Sequence, residues 1–159
     1  MAARRRLIHL PLKRTFIAGV GKFAYRFVFT LDVRSPEGEF TEIPFRLDTG
    51  TDFMTIPQWM ARAEGIPFRK DCPVQPMTAA GRAAKVSYIS PVYFSFPQLP
   101  EWQFKADCIF SPYTLRYGLF SLTDFVPHFA VRSNKAGVRF PEGSVVFQLR
   151  ADHGGTPRV

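Results

Sequence analysis

The sequence predicts an all-β fold built on one core, and three features point that way. Aromatic residues make up 15% of the 159-residue chain, with 17 Phe among them, and such side chains favour strands. Apolar and polar residues alternate in short runs, the period of a half-buried strand. Pro and Gly separate those runs, as hairpin connections require. Hydrophobic residues at 46% and charged residues at 21% give a globular balance, and the length suits one domain. No internal repeat or long linker divides the chain. The expected organisation is a flexible basic N-terminus over 1–15, a folded domain over 16–150 and a loose tail over 151–159.

Tyr25, Phe27, Phe29, Leu31 and Val33 share one strand face, with Arg26, Thr30 and Asp32 on the other. The breaker-rich Arg34 to Glu39 reads as a hairpin connection. Phe40 to Leu47 resumes the alternation through Ile43, Phe45 and Leu47, and Pro44 marks an edge or a bulge. That strand runs directly into Asp48-Thr49-Gly50. Thr55-Ile56-Pro57-Gln58 reads as a helix start, with Thr55 as cap, Gln58 reaching back and Gly65 as the stop. Met77 to Arg82 holds small residues around Gly81 and predicts an exposed hairpin tip. Val92, Phe94 and Phe96, then Phe104, Ala106, Cys108 and Phe110, define two strands around a turn at Pro97 to Pro100. Ser121 and Asp124 have capping-box spacing for a short helix that Pro127 limits. Val145, Phe147 and Leu149 define a last strand.

The net charge is +8 and the sequence pI about 9.9, so nucleic acid is a partner to weigh. The basic residues are spread along the chain, however, and the dense run is confined to Arg4-Arg5-Arg6. No recognition-helix, zinc-finger or aromatic RNA-binding pattern accompanies them, which weighs against nucleic acid. Cys72 and Cys108 stand far apart, without the spacing of a disulfide framework or a zinc site. They read as reduced thiols in a cytoplasmic protein. Lys13 and Arg14 cut the Leu7–Leu12 stretch too short for a signal peptide, and no stretch has the length of a membrane span. The three histidines, His9, His128 and His153, are scattered. No metal and no cofactor are expected. A GxSxG elbow is absent, and Gly19-Val20-Gly21-Lys22 lacks the earlier glycine and the hydroxyl residue of a phosphate loop.

Asp-Thr-Gly at a strand end can be an ordinary turn, so its setting carries the weight. Here it lies behind an alternating strand in Phe45-Arg46-Leu47-Asp48-Thr49-Gly50-Thr51-Asp52 and leads into a short helix. This pattern resembles the signature of aspartic proteases, in particular the retropepsin-like group. Thr78 to Arg82 is similar to the flap tip of that family. Gly118 to Phe125, Phe129 and the Val145-to-Leu149 strand resemble its closing module. The resemblance runs from about Tyr25 to Leu149. It implies a small closed barrel or folded sheet with one or two short helices, dimerising through terminal strands and the Asp48 loops.

Peptide hydrolysis by carboxylates needs one group to take a proton from water and another to protonate the carbonyl. Two carboxylates sharing one proton do both, because like charges that close cannot both ionise. With one Asp-Thr-Gly and no length for a second lobe, a protease of this type is expected to take its other carboxylate from a second copy across an isologous interface. The resemblance then implies roles. Asp48 is catalytic. Thr49 bonds across the dimer axis, and Gly50 allows close backbone approach. Thr51 bonds an oxygen of Asp48, which favours the ionised form and an acid-shifted optimum. Asp52, Ala80, Gly81 and Leu119 contact a peptide or protein substrate. Ser121 stands where the family places glycine, and the basic residue expected soon after is absent. These departures keep two alternatives open: a weak or inactive dimeric peptide-binding module of the same fold, and a basic nucleic-acid-binding β-domain.

Overall fold

A computed structural model describes residues 6–74 and 85–159. In chain order the elements are β1 (Leu7–Pro11), β2 (Lys13–Ile17), β3 (Lys22–Arg26), β4 (Val28–Arg34), β5 (Thr41–Leu47), β6 (Met54–Pro57) and α1 (Gln58–Ala63). They continue with β7 (Pro73–Val74), β8 (Ser87–Ser95), β9 (Trp102–Ser111), β10 (Gly118–Phe120), α2 (Leu122–Phe125), β11 (Phe129–Asn134), β12 (Ser144–Leu149) and β13 (Thr156–Pro157).

Six strands close into a barrel in the order β9-β6-β10-β5-β4-β8, with β8 pairing back onto β9. The alternation read from the sequence sets its interior. Phe29, Leu31 and Val33 of β4, Ile43 and Phe45 of β5, and Phe104, Ala106, Cys108 and Phe110 of β9 are all buried. Pro44 sits opposite Thr30 of β4. On the other side β10 pairs with β5 only over Phe45 to Leu47, so the N–H that Pro44 lacks is not needed there. A second sheet, β1-β12-β11, lays Ile8, Leu10, Phe129 and Phe147 against the same core.

The chain ends depart from expectation. Within 1–15, β1 pairs with β12 from Leu7↔Gln148 to Pro11↔Ser144, and β2 pairs with β3 from Lys13↔Arg26 to Ile17↔Lys22. The tail is pinned as well as the N-terminal segment. Thr156 and Pro157 pair with Gln103 and Trp102, and Arg158 reaches Asp32 at 2.7 Å while lying over the Phe40 ring. Because β12 has β1 on one side and β11 on the other, it has no open edge for a second copy. Pairing of the β12 strands of two copies, one way to dimerise through terminal strands, would therefore need one of these pairings to open.

Helix α1 starts at Pro57 without a side-chain cap. Gln58 does not reach back; its amide donates to the carbonyls of Phe110 and Val86 and ties the helix to the barrel. Gly65, at φ +69°, ends it as expected. The β2–β3 hairpin forms a sheet of its own and leaves Phe16, Phe23 and Tyr25 exposed.

Candidate active site

Alternation along β5 buries Phe45 and turns Arg46 and Asp48 to the opposite face. Asp48 follows the last residue of β5 and is anchored by its own backbone, whose N–H donates to the Phe120 carbonyl at 3.0 Å. Its Oδ1 accepts the Gly50 N–H at 2.9 Å, the local bond by which Asp closes a turn. A Cβ on Gly50 would stand 3.3 Å from that same oxygen, so glycine suits the tight approach. The other oxygen, Oδ2, faces the Arg46 guanidinium at 3.9 Å.

The residues around Asp48 divide. Thr49 is exposed beside Asp48. Thr51 does not bond the Asp48 carboxylate: its hydroxyl donates to the Phe53 carbonyl at 3.2 Å, which removes the basis for the acid-shifted optimum expected from it. Asp52 is exposed, and its carbonyl lies 3.4 Å from the Ser121 hydroxyl. Leu119, half-buried in β10, is level with Arg46 of β5 and Thr55 of β6. Ala80 and Gly81 lie outside the described residues.

Ser121 is fully buried and completes the capping box of α2. Its hydroxyl and its N–H both donate to Asp124 Oδ2, at 2.7 and 2.9 Å. Burial pushes the Asp124 carboxyl above its ordinary value, while these two bonds pull it down. The residue that departs from the family glycine thus locks α2 beneath the Asp48 loop. Ser121→Ala is expected to destabilise the fold by about 1–3 kcal/mol, since it leaves the buried Asp124 short of a donor. Denaturant unfolding checks this, and an unchanged midpoint would remove the capping role.

Asp48 opens onto a cleft of about 450 Å³ whose walls include Ile17, Tyr25, Arg26, Arg46 and Thr49. A recess of about 160 Å³ adjoins it, sharing Arg26 and Arg46 and adding Arg116, Tyr117 and Leu119. Sequence reasoning missed the hairpin wall and the arginines. Arg46 was legible, two residues before Asp48 on the same strand face. Gly118, read only as the start of the closing module, has a packing role the sequence did not disclose: a Cβ there would come within 2.6 Å of the Phe45 ring, so β10 packs against β5 only with glycine at that position. Among the described residues no cluster of three or more His, Cys, Asp or Glu could hold a metal. None of their helices is long and apolar enough to cross a membrane.

No family model matches the chain, and no curated protein matches it in sequence. Among solved structures it is similar to the crystal structure of a retropepsin-like aspartic protease from Rickettsia conorii. The TM-score is 0.57, over 96% of this chain and 93% of that one, at 13% identity. What the two share at that identity is the fold. The closed six-stranded barrel with two short helices is the retropepsin-like fold.

Proposed function

We propose that the protein is an aspartic endopeptidase whose active site is completed by Asp48 from each of two copies. The carrying observation is the position of Asp48. It stands at the end of a barrel strand in a retropepsin-like fold, bound to its own turn through Oδ1, with Arg46 facing Oδ2, and it lines an open cleft. A second carboxylate brought beside it would share one proton with the first. The ionised partner takes a proton from water as its oxygen attacks the peptide carbonyl. The protonated partner gives its proton to the carbonyl oxygen, and collapse of the tetrahedral intermediate with proton transfer to nitrogen releases the amine.

A second copy has a surface to meet. Phe16, Phe23 and Tyr25 are 53%, 59% and 63% exposed on the hairpin, and Tyr25 also walls the Asp48 cleft. Apolar side chains exposed together at one place mark an interaction site. Extended substrate would lie along the cleft with strand-like backbone bonds. Ser121, the main support for a non-catalytic module, has a capping role that explains its presence. The test is incubation with a complex peptide mixture from about pH 4 to 7, a range that brackets shared-proton carboxylates, with new termini read by mass spectrometry. New termini are expected. None from a folded dimer would overturn the proposal and leave the peptide-binding module in its place.

A further inference from the structure

The feature of the cleft least expected beside a carboxylate protease centre is its positive charge. Arg26, Arg46 and Arg116 all line the recess that adjoins the Asp48 cleft, and Arg26 and Arg46 line both. Strand pairing sets part of this arrangement. Arg46 is level with Leu119 across the β5–β10 ladder, so the two share a face, and Arg116 lies three residues before Leu119 at the recess rim. Among the described residues, neither Arg26 nor Arg116 is in an ion pair, and the acid facing Arg46 is Asp48 at the long distance of 3.9 Å. Tyr117 and Leu119 supply apolar wall between the charges.

Three like charges around one small recess repel one another and bring counter-ions with them. A planar carboxylate entering there would meet guanidinium donors whose fork geometry matches its two oxygens. An uncharged apolar side chain would leave the arginines without an anion and partly desolvated. The recess shares Arg26 and Arg46 with the cleft that Asp48 lines, so whatever fills it belongs to a residue near the cleaved bond.

The geometry points to an acidic-residue subsite. The Arg26–Arg46–Arg116 recess binds the side-chain carboxylate of a substrate Asp or Glu next to the scissile bond and so selects acidic peptides. This rests on the endopeptidase reading and adds the substrate class to it. The carboxylate also draws the Arg46 guanidinium toward the recess and away from Asp48 Oδ2, leaving that oxygen to the catalytic water.

Two labelled synthetic peptide libraries, identical except for a central Glu or Gln, test the assignment by fluorescence anisotropy on the full-chain Asp48→Asn protein, which can bind without cleaving. The Glu library is expected to bind roughly tenfold more tightly, a difference of about 1.4 kcal/mol, and to lose most of that margin at high salt. Arg116→Ala and Arg46→Ala in the same background are expected to erase the margin. Equal binding of the two libraries overturns the subsite. So does a result in which the arginine variants change the dimer dissociation constant but not the Glu preference, since the arginines would then serve the partner copy. A Glu preference with no cleavage by the wild type keeps the subsite and rejects the endopeptidase. Cleavage by the wild type with no acidic enrichment and no Glu preference does the reverse.

Discussion

Asp48→Asn is expected to remove the proposed peptide hydrolysis while the protein stays folded. Asparagine keeps an oxygen for the Gly50 N–H that now reaches Oδ1 at 2.9 Å, so the turn survives. The pair with Arg46 that it loses is long, at 3.9 Å, and half open to solvent on the arginine side. Such pairs contribute about 0–1 kcal/mol. The catalytic loss is far larger: an amide can neither take the proton of water nor hold the shared proton, and general acid–base catalysis alone supplies about 10²–10⁴-fold. Cleavage rates on the peptide mixture, read beside thermal unfolding of both proteins, check this. A variant that cleaves within a few-fold of the wild type would move the chemistry away from Asp48.

The largest stability effect is expected at Phe120. Its ring meets Phe29, Phe45, Phe94, Phe96, Phe125 and Phe147 at centroid distances of 5.3 to 6.4 Å. It therefore joins the barrel strands to the sheet that carries β12. Removing such a ring costs about 3–5 kcal/mol in lost transfer energy and residual cavity, against a total stability of about 5–15 kcal/mol for a domain this size. Phe120 also holds Asp48 through its main-chain carbonyl, so a core that settles around Ala would shift the candidate nucleophile-activating group. Phe120→Ala is expected to lower the urea midpoint steeply, or to leave the chain unfolded, whereas the fully exposed Val138 should tolerate Ala with little change. A Phe120→Ala protein within about 1 kcal/mol of wild type would contradict the shared core, because buried aromatic truncations lie well above that.

What the sequence made legible is what local period and local caps control. The run from Tyr25 to Leu47 declared its buried face by simple alternation from Phe27 onward and delivered Asp48 at the strand end, whereas Tyr25, read onto the same face, is exposed on β3. The capping box at Ser121 and Asp124 was readable because both partners lie within one helical turn. Gln58 misled for the opposite reason. Its spacing from Thr55 fits a cap, but its amide finds the carbonyl of Phe110, 52 residues away, and tertiary bonds outweigh local ones. The same holds at the ends of the chain. Leu7 pairs with Gln148 and Thr156 with Gln103, and neither short segment carries enough period to announce a strand. Thr51 could not be settled by spacing either, since a hydroxyl two or three residues from several acceptors takes whichever the turn presents.

The claim that two Asp48 residues make one active site is tested most directly by mixing subunits. Wild-type and Asp48→Asn chains are combined in varying ratios, allowed to exchange by dilution and reconcentration, and assayed for cleavage at constant total protein. If both aspartates are required, activity follows the square of the wild-type fraction, because only wild-type pairs work in a randomly assorted isologous dimer. Activity falling in direct proportion to the wild-type fraction would mean that each chain acts alone, and the shared site would be wrong.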